Sequence, residues 1–573
     1  ATQPRPPRGV DARSMCADWW ASMTTTDTPN AGRCWWGWGT VEGLAKEVGS
    51  APVIRPPSWK EVAERLRPPR VPLGSLPEAL RAFCTDHPFE RLLHSRGRDF
   101  TDIVENLQGP PTNPTDLVAF PREEDDIVSL LAYCSAERIA VVPFGGGSSV
   151  VHGLSPPEDS EGYTGTVTVD MLRFDKVLEV DTESMCARIQ AGVYGPSLEK
   201  QLKLYGLTLR YFPQSFEFST VGGWIATRGG GHFATGPTHI DDLVESVRLV
   251  TPAGITETRR LPGSGAGPAE HRLYLGSEGT LGVVTEAWVR LRRIPACRAS
   301  ATVLFRASTD DDAFLLGAKA VMAVAQSGLQ PSNLRLVYGA EVGRMTRQDD
   351  LDATAVLLLG FEASDDSQDL DTMMKSSVQI CESLGGSVAG GAQESYVRRG
   401  GGGDREGIAG RWGAGFMRGG YTFSAAALSG AIVNTFETAI TWDAFFNGFH
   451  SDVLKETRRA VQDHCGGGFV TCRFTHVYPD GPAPYYTVVA QGNFKPRDER
   501  VGQWLRVKAA AMEAIIRHGG TSTHHHAVGK LHRKHYHAEM GALFRSTLEA
   551  IKEAHDPAWV LNPGVLIEPR SKL

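Results

Sequence analysis

Apolar and polar positions fall into different textures along the chain. Up to about residue 112, short helical stretches alternate with proline breaks at Pro68-Pro69 and Pro110-Pro111. From 113 the pattern tightens. Ile127, Leu130, Leu131 and Cys134 recur at i, i+3, i+4 and i+7, one face of a helix. Ile139-Ala-Val-Val142 then reads as a buried strand that runs straight into Pro143-Phe-Gly-Gly-Gly-Ser-Ser149. Residues 167–170, 177–181 and 186–191 follow as short strands, and Leu198, Leu202 and Tyr205 mark a helix. Residues 247–250 and 255–258 flank Pro252-Ala-Gly254 as a hairpin. The segment 276–282 feeds an alternating strand that reaches Leu291.

Beyond about 298, strands alternate with longer amphipathic helices, at 313–326, 373–384 and 501–517, with a strand over 485–490. Residues 390–420 hold 12 glycines and few aliphatics, a pattern that predicts a mobile loop or lid. A histidine-dense stretch spans 524–537. No internal repeat is present. The pattern therefore predicts an α+β chain. Its parts are a mostly helical region over 1–112, a glycine-turn domain over 113–297, a second domain over 298–522 and a C-terminal helical segment over 523–573. Cys34-Trp35-Trp36-Gly37-Trp38-Gly39 reads as a packing anchor, since tryptophan is costly to leave exposed.

Composition narrows the classes. The chain is 41% hydrophobic over 573 residues, enough to bury several cores. A net charge of −7 without a long basic run excludes bulk attraction to nucleic acid. The nine cysteines are scattered without a C-x-x-C, so zinc and redox dithiols lack support, and reduced thiols suit a reducing compartment. No apolar run is long enough to span a membrane. Glycine is over-used, 63 residues against a typical ~7%, which points to backbone approaching something closely. The last three residues are Ser571-Lys572-Leu573, a tripeptide read by the peroxisomal import receptor.

Gly145-Gly146-Gly147-Ser148-Ser149 after a strand is either a tight turn or a nest of N–H groups for a pyrophosphate. No Walker loop, nucleophile elbow or H-E-x-x-H is present. Gly229-Gly-Gly231-His-Phe-Ala234 satisfies G-x-G-x-x-A without a βαβ context, so it reads as a decoy. Two further segments matter: Pro213-Gln-Ser-Phe-Glu-Phe-Ser-Thr-Val-Gly-Gly-Trp-Ile-Ala-Thr-Arg228 and Gly276-Ser-Glu-Gly-Thr-Leu-Gly-Val-Val284. In order and spacing the three resemble the FAD-binding domain of the vanillyl-alcohol-oxidase superfamily. The resemblance implies an FAD cradle of Pro143, Gly145, Gly146, Gly147, Ser148, Ser149, Ser215, Glu217, Ser219, Thr220, Gly222, Thr227, Arg228, Glu278, Gly279, Thr280, Gly282, Val283 and Val284. Serines stand where some members carry a flavin-linking histidine, so the FAD is expected to be non-covalent.

Thr521-Ser-Thr-His-His-His-Ala-Val-Gly-Lys-Leu531 resembles the histidine triplet of the alkyldihydroxyacetonephosphate synthase family. Pro331-Ser-Asn-Leu-Arg-Leu336, Phe416-Met-Arg418 and Tyr485-Tyr486 resemble further family segments. Gly419 stands where the family has aspartate after the arginine, and Gly229-Gly-Gly231 where it often has Ala-Ser-Gly. The resemblance implies an FAD domain with a substrate-binding cap. It implies exchange of the acyl group of acyl-dihydroxyacetone phosphate for a long-chain fatty alcohol, without net redox change, through a flavin N5 adduct. It also implies a peroxisomal or glycosomal location, peripheral membrane association and a homodimer.

On that reading Tyr485, His524, His525, His526 and Arg335 are catalytic and Arg418 clamps the substrate's phosphate or carboxylate. Tyr485 is otherwise a cross-strand packing residue, and Arg335 a structural ion pair. An extended triplet would put His524 and His526 on one face and His525 on the other. A metal at the triplet is not expected, for want of carboxylate or cysteine partners. Lys530 is a phosphate candidate or a snorkelling surface lysine. The alternative reading is an FAD-dependent oxidase or dehydrogenase of a 2-hydroxy acid on the same fold; a third is a non-catalytic peroxisomal lipid-binding protein.

Overall fold

The computed structural model describes residues 20, 23–25, 27–48, 54–233, 235–346, 350–365, 367–391, 393–399 and 408–568. The terminal Ser571-Lys572-Leu573 lies outside the described residues. The α+β prediction holds, and three sheets carry the architecture. The first runs in the order Cys84–Thr85, Leu117–Ala119, Gly165–Asp170, Ile139–Phe144, and its last three strands are parallel. Parallel strands are covered on both faces and read as unbroken apolar runs, which explains the non-alternating Ile139-Ala-Val-Val142. The helix Glu124–Glu137 buries Ile127, Leu130, Leu131 and Cys134 against this sheet. It ends at Arg138 in the left-handed region, φ 53°, from which the chain turns directly into Ile139.

The second sheet is antiparallel, in the order Val177–Asp181, Cys186–Gln190, Val283–Arg290, Val244–Thr251, Gly254–Glu257. The expected hairpin closes at Gly254, whose φ of 135° favours glycine.

The third sheet has eight strands and belongs to the second half of the chain. Its path is Gly386–Val388, Cys297–Arg306, Thr354–Ala363, Asn333–Tyr338, Gly468–Val477, Pro482–Gln491, Ala431–Glu437, with Val397–Arg399 beside Cys297–Arg306. Period-two alternation divides its faces. Leu334, Leu336, Cys472, Phe474, Tyr486 and Val488 enter the apolar core with the helices Asp310–Gln326 and His450–Cys465. Arg335, Arg473 and Tyr485, one step out of phase, line a cavity instead.

The N-terminal region does not stand apart. Trp35, Trp36, Leu44 and Phe89 belong to the same core as this eight-stranded sheet. The tryptophan run is thus an anchor, with Trp35 and Trp36 fully buried. The C-terminal segment returns to the first sheet: Val141 N–H donates to Val560 O at 2.7 Å, and Asn562 Nδ2 donates to Gly153 O and Glu278 O.

The glycine loop predicted at 390–420 is corrected over its second half; residues 392 and 400–407 lie outside the described residues. That second half is helical, Ile408–Met417 followed by Gly419–Leu428. Gly415, Gly419 and Gly420 serve close approach there. A Cβ on Gly420 would come within 2.9 Å of the Trp38 ring, and one on Gly43 within 2.6 Å of the Tyr421 ring. The eight described cysteines are all free. Among the described residues no helix is long and apolar enough to cross a membrane.

Candidate active site

The cavity opens between the glycine-rich turns of the first half and the free face of the eight-stranded sheet. It holds about 1960 Å³ of empty space, open mouth included.

Three glycine segments form one wall by packing closer than a side chain would allow. A Cβ on Gly146 would overlap the Phe218 carbonyl oxygen and lie 2.6 Å from its carbon. A Cβ on Gly279 would sit 2.8 Å from Pro143 Cγ, and one on Gly222 2.7 Å from Ala191 Cβ. Gly147 and Gly279 have φ of 73° and 76°. The first segment therefore nests on the second and the third on the first, leaving a side-chain-free trough. Such a trough fits the pyrophosphate and ring of FAD, which need N–H donors and a close backbone.

Of the residues expected at the cofactor, all but Glu217, Arg228 and Thr280 line this cavity. Glu217 is exposed on the turn Phe216–Phe218. Arg228 ends the helix Val221–Thr227 in the left-handed region and pairs with Asp241 at 2.7 Å. Thr280 donates its hydroxyl to Ser277 O, and its carbonyl accepts from Lys552 Nζ. The bonds of Arg228 and Thr280 brace the segments that carry the trough. Glu278 faces the cavity while accepting the N–H groups of Val528 and Gly529. Burial pushes its carboxyl up to about 7 against those two donors.

The opposite wall is a cross-strand row. Val337 pairs with Arg473, Arg473 with Tyr485, and Tyr485 with Glu437. Tyr485 Oη lies 2.9 Å from Thr435 Oγ1. The Arg473 guanidinium lies 4.0 Å from the centroid of the Tyr485 ring. Burial raises the Tyr485 phenol despite the opposing pull of Arg473, so it stays protonated at neutral pH.

The histidine triplet is not extended, so the alternation expected for it is corrected. The backbone N–H groups of His524, His525 and His526 all donate to the Glu437 carboxylate, at 2.6, 3.2 and 3.0 Å, and Thr523 Oγ1 donates at 2.6 Å. The turn is wound around that anion. Burial disfavours the charge, but the facing imidazoles and the Thr523 hydroxyl outweigh it and hold Glu437 below the usual carboxylate range. The backbone donors act in the same sense.

Winding sends the neighbours His525 and His526 together into the cavity wall. His525 stacks on the Tyr485 ring, centroids 5.8 Å apart. His524 turns behind them. Its Nε2 lies 2.7 Å from Tyr478 Oη and 3.1 Å from His239 Nε2, and its Nδ1 lies 3.0 Å from His525 Nδ1. Burial pushes His524 down to about 3 and His525 and His476 well below the ordinary imidazole range. At neutral pH these rings are uncharged proton acceptors. Nitrogens of His476, His524 and His525 lie within 4.8 Å of one another, but His524 already meets partners through both of its own.

Arg335 lines the cavity, with Nη2 donating to His232 O at 2.7 Å. Arg418 does not, and its expected role is corrected. It precedes the helix Gly419–Leu428, is 56% exposed and pairs with Glu47. Gly419, in place of an aspartate, leaves no acidic partner beside it, and Glu47 takes the guanidinium outward. Lys530 is part-buried, with Nζ donating to Pro156 O.

Sequence reasoning missed Arg473, His476, Glu437, Lys508 and Asp99. All but Glu437 line the cavity, and Glu437 organises the triplet. The one signal available was phase: Arg473 and His476 interrupt a run of strand residues beside a predicted partner strand. Register, which brings Arg473 opposite Tyr485, is not written in either strand alone.

Two family descriptions match the chain: FAD binding domain over residues 115–259 and FAD linked oxidases, C-terminal domain, over 298–566. The alkyldihydroxyacetonephosphate synthase of Caenorhabditis elegans is 29% identical over 83% of this chain and 80% of its own. That of Trypanosoma brucei brucei is 27% identical over 89% and 83%. A mitochondrial D-lactate dehydrogenase [cytochrome] of Arabidopsis thaliana is 26% identical over 82% and 77%. Among solved structures, an alkyldihydroxyacetonephosphate synthase superposes with a TM-score of 0.72 at 23% identity, covering 93% of this chain and 98% of that one. A p-cresol methylhydroxylase with substrate bound gives 0.67 at 13% identity, over 88% and 100%.

Proposed function

We infer that this chain, which belongs to the alkyldihydroxyacetonephosphate synthase family of FAD-dependent enzymes, makes the ether bond of ether lipids. It exchanges the acyl group of acyl-dihydroxyacetone phosphate for a long-chain alcohol and releases a fatty acid, with no net oxidation or reduction. The observation that carries the reading is the row Arg473–Tyr485–Glu437 with His525 stacked on it, facing the glycine trough across one cavity.

FAD, when bound in the trough, supplies the reactive centre that lets one hard substitution proceed as two easier ones. The chain's own residues do the rest. Tyr485, protonated and fixed by Thr435, is placed to donate a proton at the reacting carbon's substituents. His525 and His526, uncharged and held by Glu437, are placed to take the proton of the incoming alcohol. Glu437 stabilises an imidazolium that forms there, because a buried carboxylate favours charge on the ring beside it. Trp38, Phe100, Phe416, Phe423 and Val433 supply the apolar lining along which a long chain lies.

FAD-loaded protein incubated with palmitoyl-dihydroxyacetone phosphate and hexadecanol, followed by mass spectrometry, tests the reading. Hexadecyl-dihydroxyacetone phosphate and palmitate are expected in equal amounts. Hydrolysis alone, or unchanged substrate, sinks it.

A further inference from the structure

Arg335 and Arg473 lie side by side on the free face of the eight-stranded sheet. Arg335 is 1% exposed and Arg473 6%, and both approach the Phe416 ring, 4.9 and 5.9 Å from its centroid. A buried guanidinium normally uses all its N–H groups. These two do not. Arg335 spends Nη2 on the carbonyls of His232 and Thr475, and Arg473 spends Nη1 on Glu341 at 2.6 Å. Arg335 Nε, Arg473 Nε and Arg473 Nη2 are buried and meet no acceptor among the described residues. Both side chains line the cavity, and the unspent donors lie just beneath its wall.

The charges are unbalanced in the same sense. Among the described residues Glu341 is the one carboxylate paired with either arginine, and its second oxygen accepts from Thr471 Oγ1. Two guanidinium groups against one carboxylate leave a single positive charge. Burial lowers Arg335 to about 9, with repulsion from Arg473 adding to it, and at neutral pH it remains protonated. A phosphate dianion would overshoot that charge, whereas a carboxylate balances it. The Phe416 ring, 4.9 Å from the Arg335 guanidinium and on the cavity wall, offers apolar surface to a chain attached to that carboxylate.

We propose that Arg335 and Arg473 form a carboxylate clamp that receives the fatty acid as it departs. The inference rests on the proposed exchange for the identity of the carboxylate, and deepens it by assigning the leaving-group site. In the net reaction the ester's C1–O bond breaks and its electron pair leaves on the carboxylate oxygen. The alcohol oxygen takes C1, and the alcohol's proton is released. Negative charge thus grows on an oxygen that was neutral in the ester. Fixed donors aimed at growing charge, in a dry site, stabilise the transition state more than the ground state. Arg473, absent from the sequence-based expectations, is on this account a catalytic residue, because it touches the leaving oxygen.

The test uses Arg473→Lys in FAD-loaded protein. Lysine keeps the charge beside Glu341 and so keeps the fold, but loses the planar fork. Equilibrium dialysis with labelled decanoate and, separately, with glycerol 3-phosphate measures both anions without turnover. The expected result is a decanoate Kd raised about tenfold, with glycerol 3-phosphate unchanged. Arg335→Gln should act in the same direction. FAD content and melting temperature confirm folding; if Arg335→Gln does not fold, Arg473→Lys alone decides. Unchanged decanoate binding overturns the clamp, and so does selective loss of glycerol 3-phosphate, which would make this the head-group site. Decanoate binding lost in a protein that forms no ether product would keep the clamp and discard the exchange reaction.

Discussion

Replacing Gly146 by alanine isolates the glycine trough as a cofactor site. The added Cβ would overlap the Phe218 carbonyl oxygen, lying 2.6 Å from its carbon and 2.9 Å from Ser219 Cα. All of these are backbone atoms of the facing turn, so no side chain can rotate away. The loop 145–149 must lift off the segment 215–220 by well over an ångström to restore ordinary van der Waals contact. Overpacking of this kind costs about 1–3 kcal/mol. Part of the cost falls on the fold and part on the converging N–H groups that would hold the pyrophosphate. A share of ~1.4 kcal/mol in binding is tenfold in Kd. FAD affinity, read by flavin fluorescence on release and by the visible absorbance of purified protein, is expected to fall about tenfold or more. Gly74→Ala, where an added Cβ meets nothing within 4 Å, is the control and should retain full FAD. Wild-type FAD content and affinity in Gly146→Ala would refute the trough as the cofactor's seat.

Tyr485→Phe removes the hydroxyl while keeping the ring under Arg473 and beside His525. It should lower kcat by about 10²–10⁴, retain FAD, and cost ~1 kcal/mol of stability for the lost Thr435 bond. Arg418→Ala, by contrast, removes a 56%-exposed ion pair with Glu47; KM should be unchanged and stability altered by no more than ~1 kcal/mol. Stability should fall on acidification below about pH 6.5. His232, His450 and His524 are held down to about 3 by burial, and His476, His525 and His532 well below their ordinary range. The unfolded chain takes up these protons near pH 6.5 while the folded one does not, so each group withdraws ~1.4 kcal/mol per pH unit. Asp102, raised to about 6, and Glu278, raised to about 7, act oppositely as pH falls but are fewer. Melting temperatures at pH 7.5, 6 and 5 check this; a flat profile would contradict it.

The glycine trough could be read in advance because close backbone approach allows no other residue at Gly146 or Gly222, and such constraints surface as local motifs. The strands around Tyr485 and the helix over Ile127–Cys134 were legible from period alone. The cap-side chemistry was not. Arg473 and Tyr485 meet through the register of two consecutive strands, and Glu437 joins them from a third, Ala431–Glu437, earlier in the chain. The triplet's conformation was misjudged because Glu437, 87 residues away from His524, captures its backbone. Arg418 was drawn outward by Glu47, a partner no local pattern announces. The helices within 390–420 hid behind glycine content, since Gly419 and Gly420 answer to Gln214 and Trp38 rather than to a turn.

The central claim is exchange without electron transfer at a flavin site. It is tested most directly by an electron count. FAD-loaded protein is turned over anaerobically with acyl-dihydroxyacetone phosphate, labelled hexadecanol and a redox dye. Ether product should match released fatty acid one for one while the dye stays oxidised. Stoichiometric dye reduction without ether product, particularly with a 2-hydroxy acid as substrate, would contradict the account and place the chain with the oxidoreductases it also resembles.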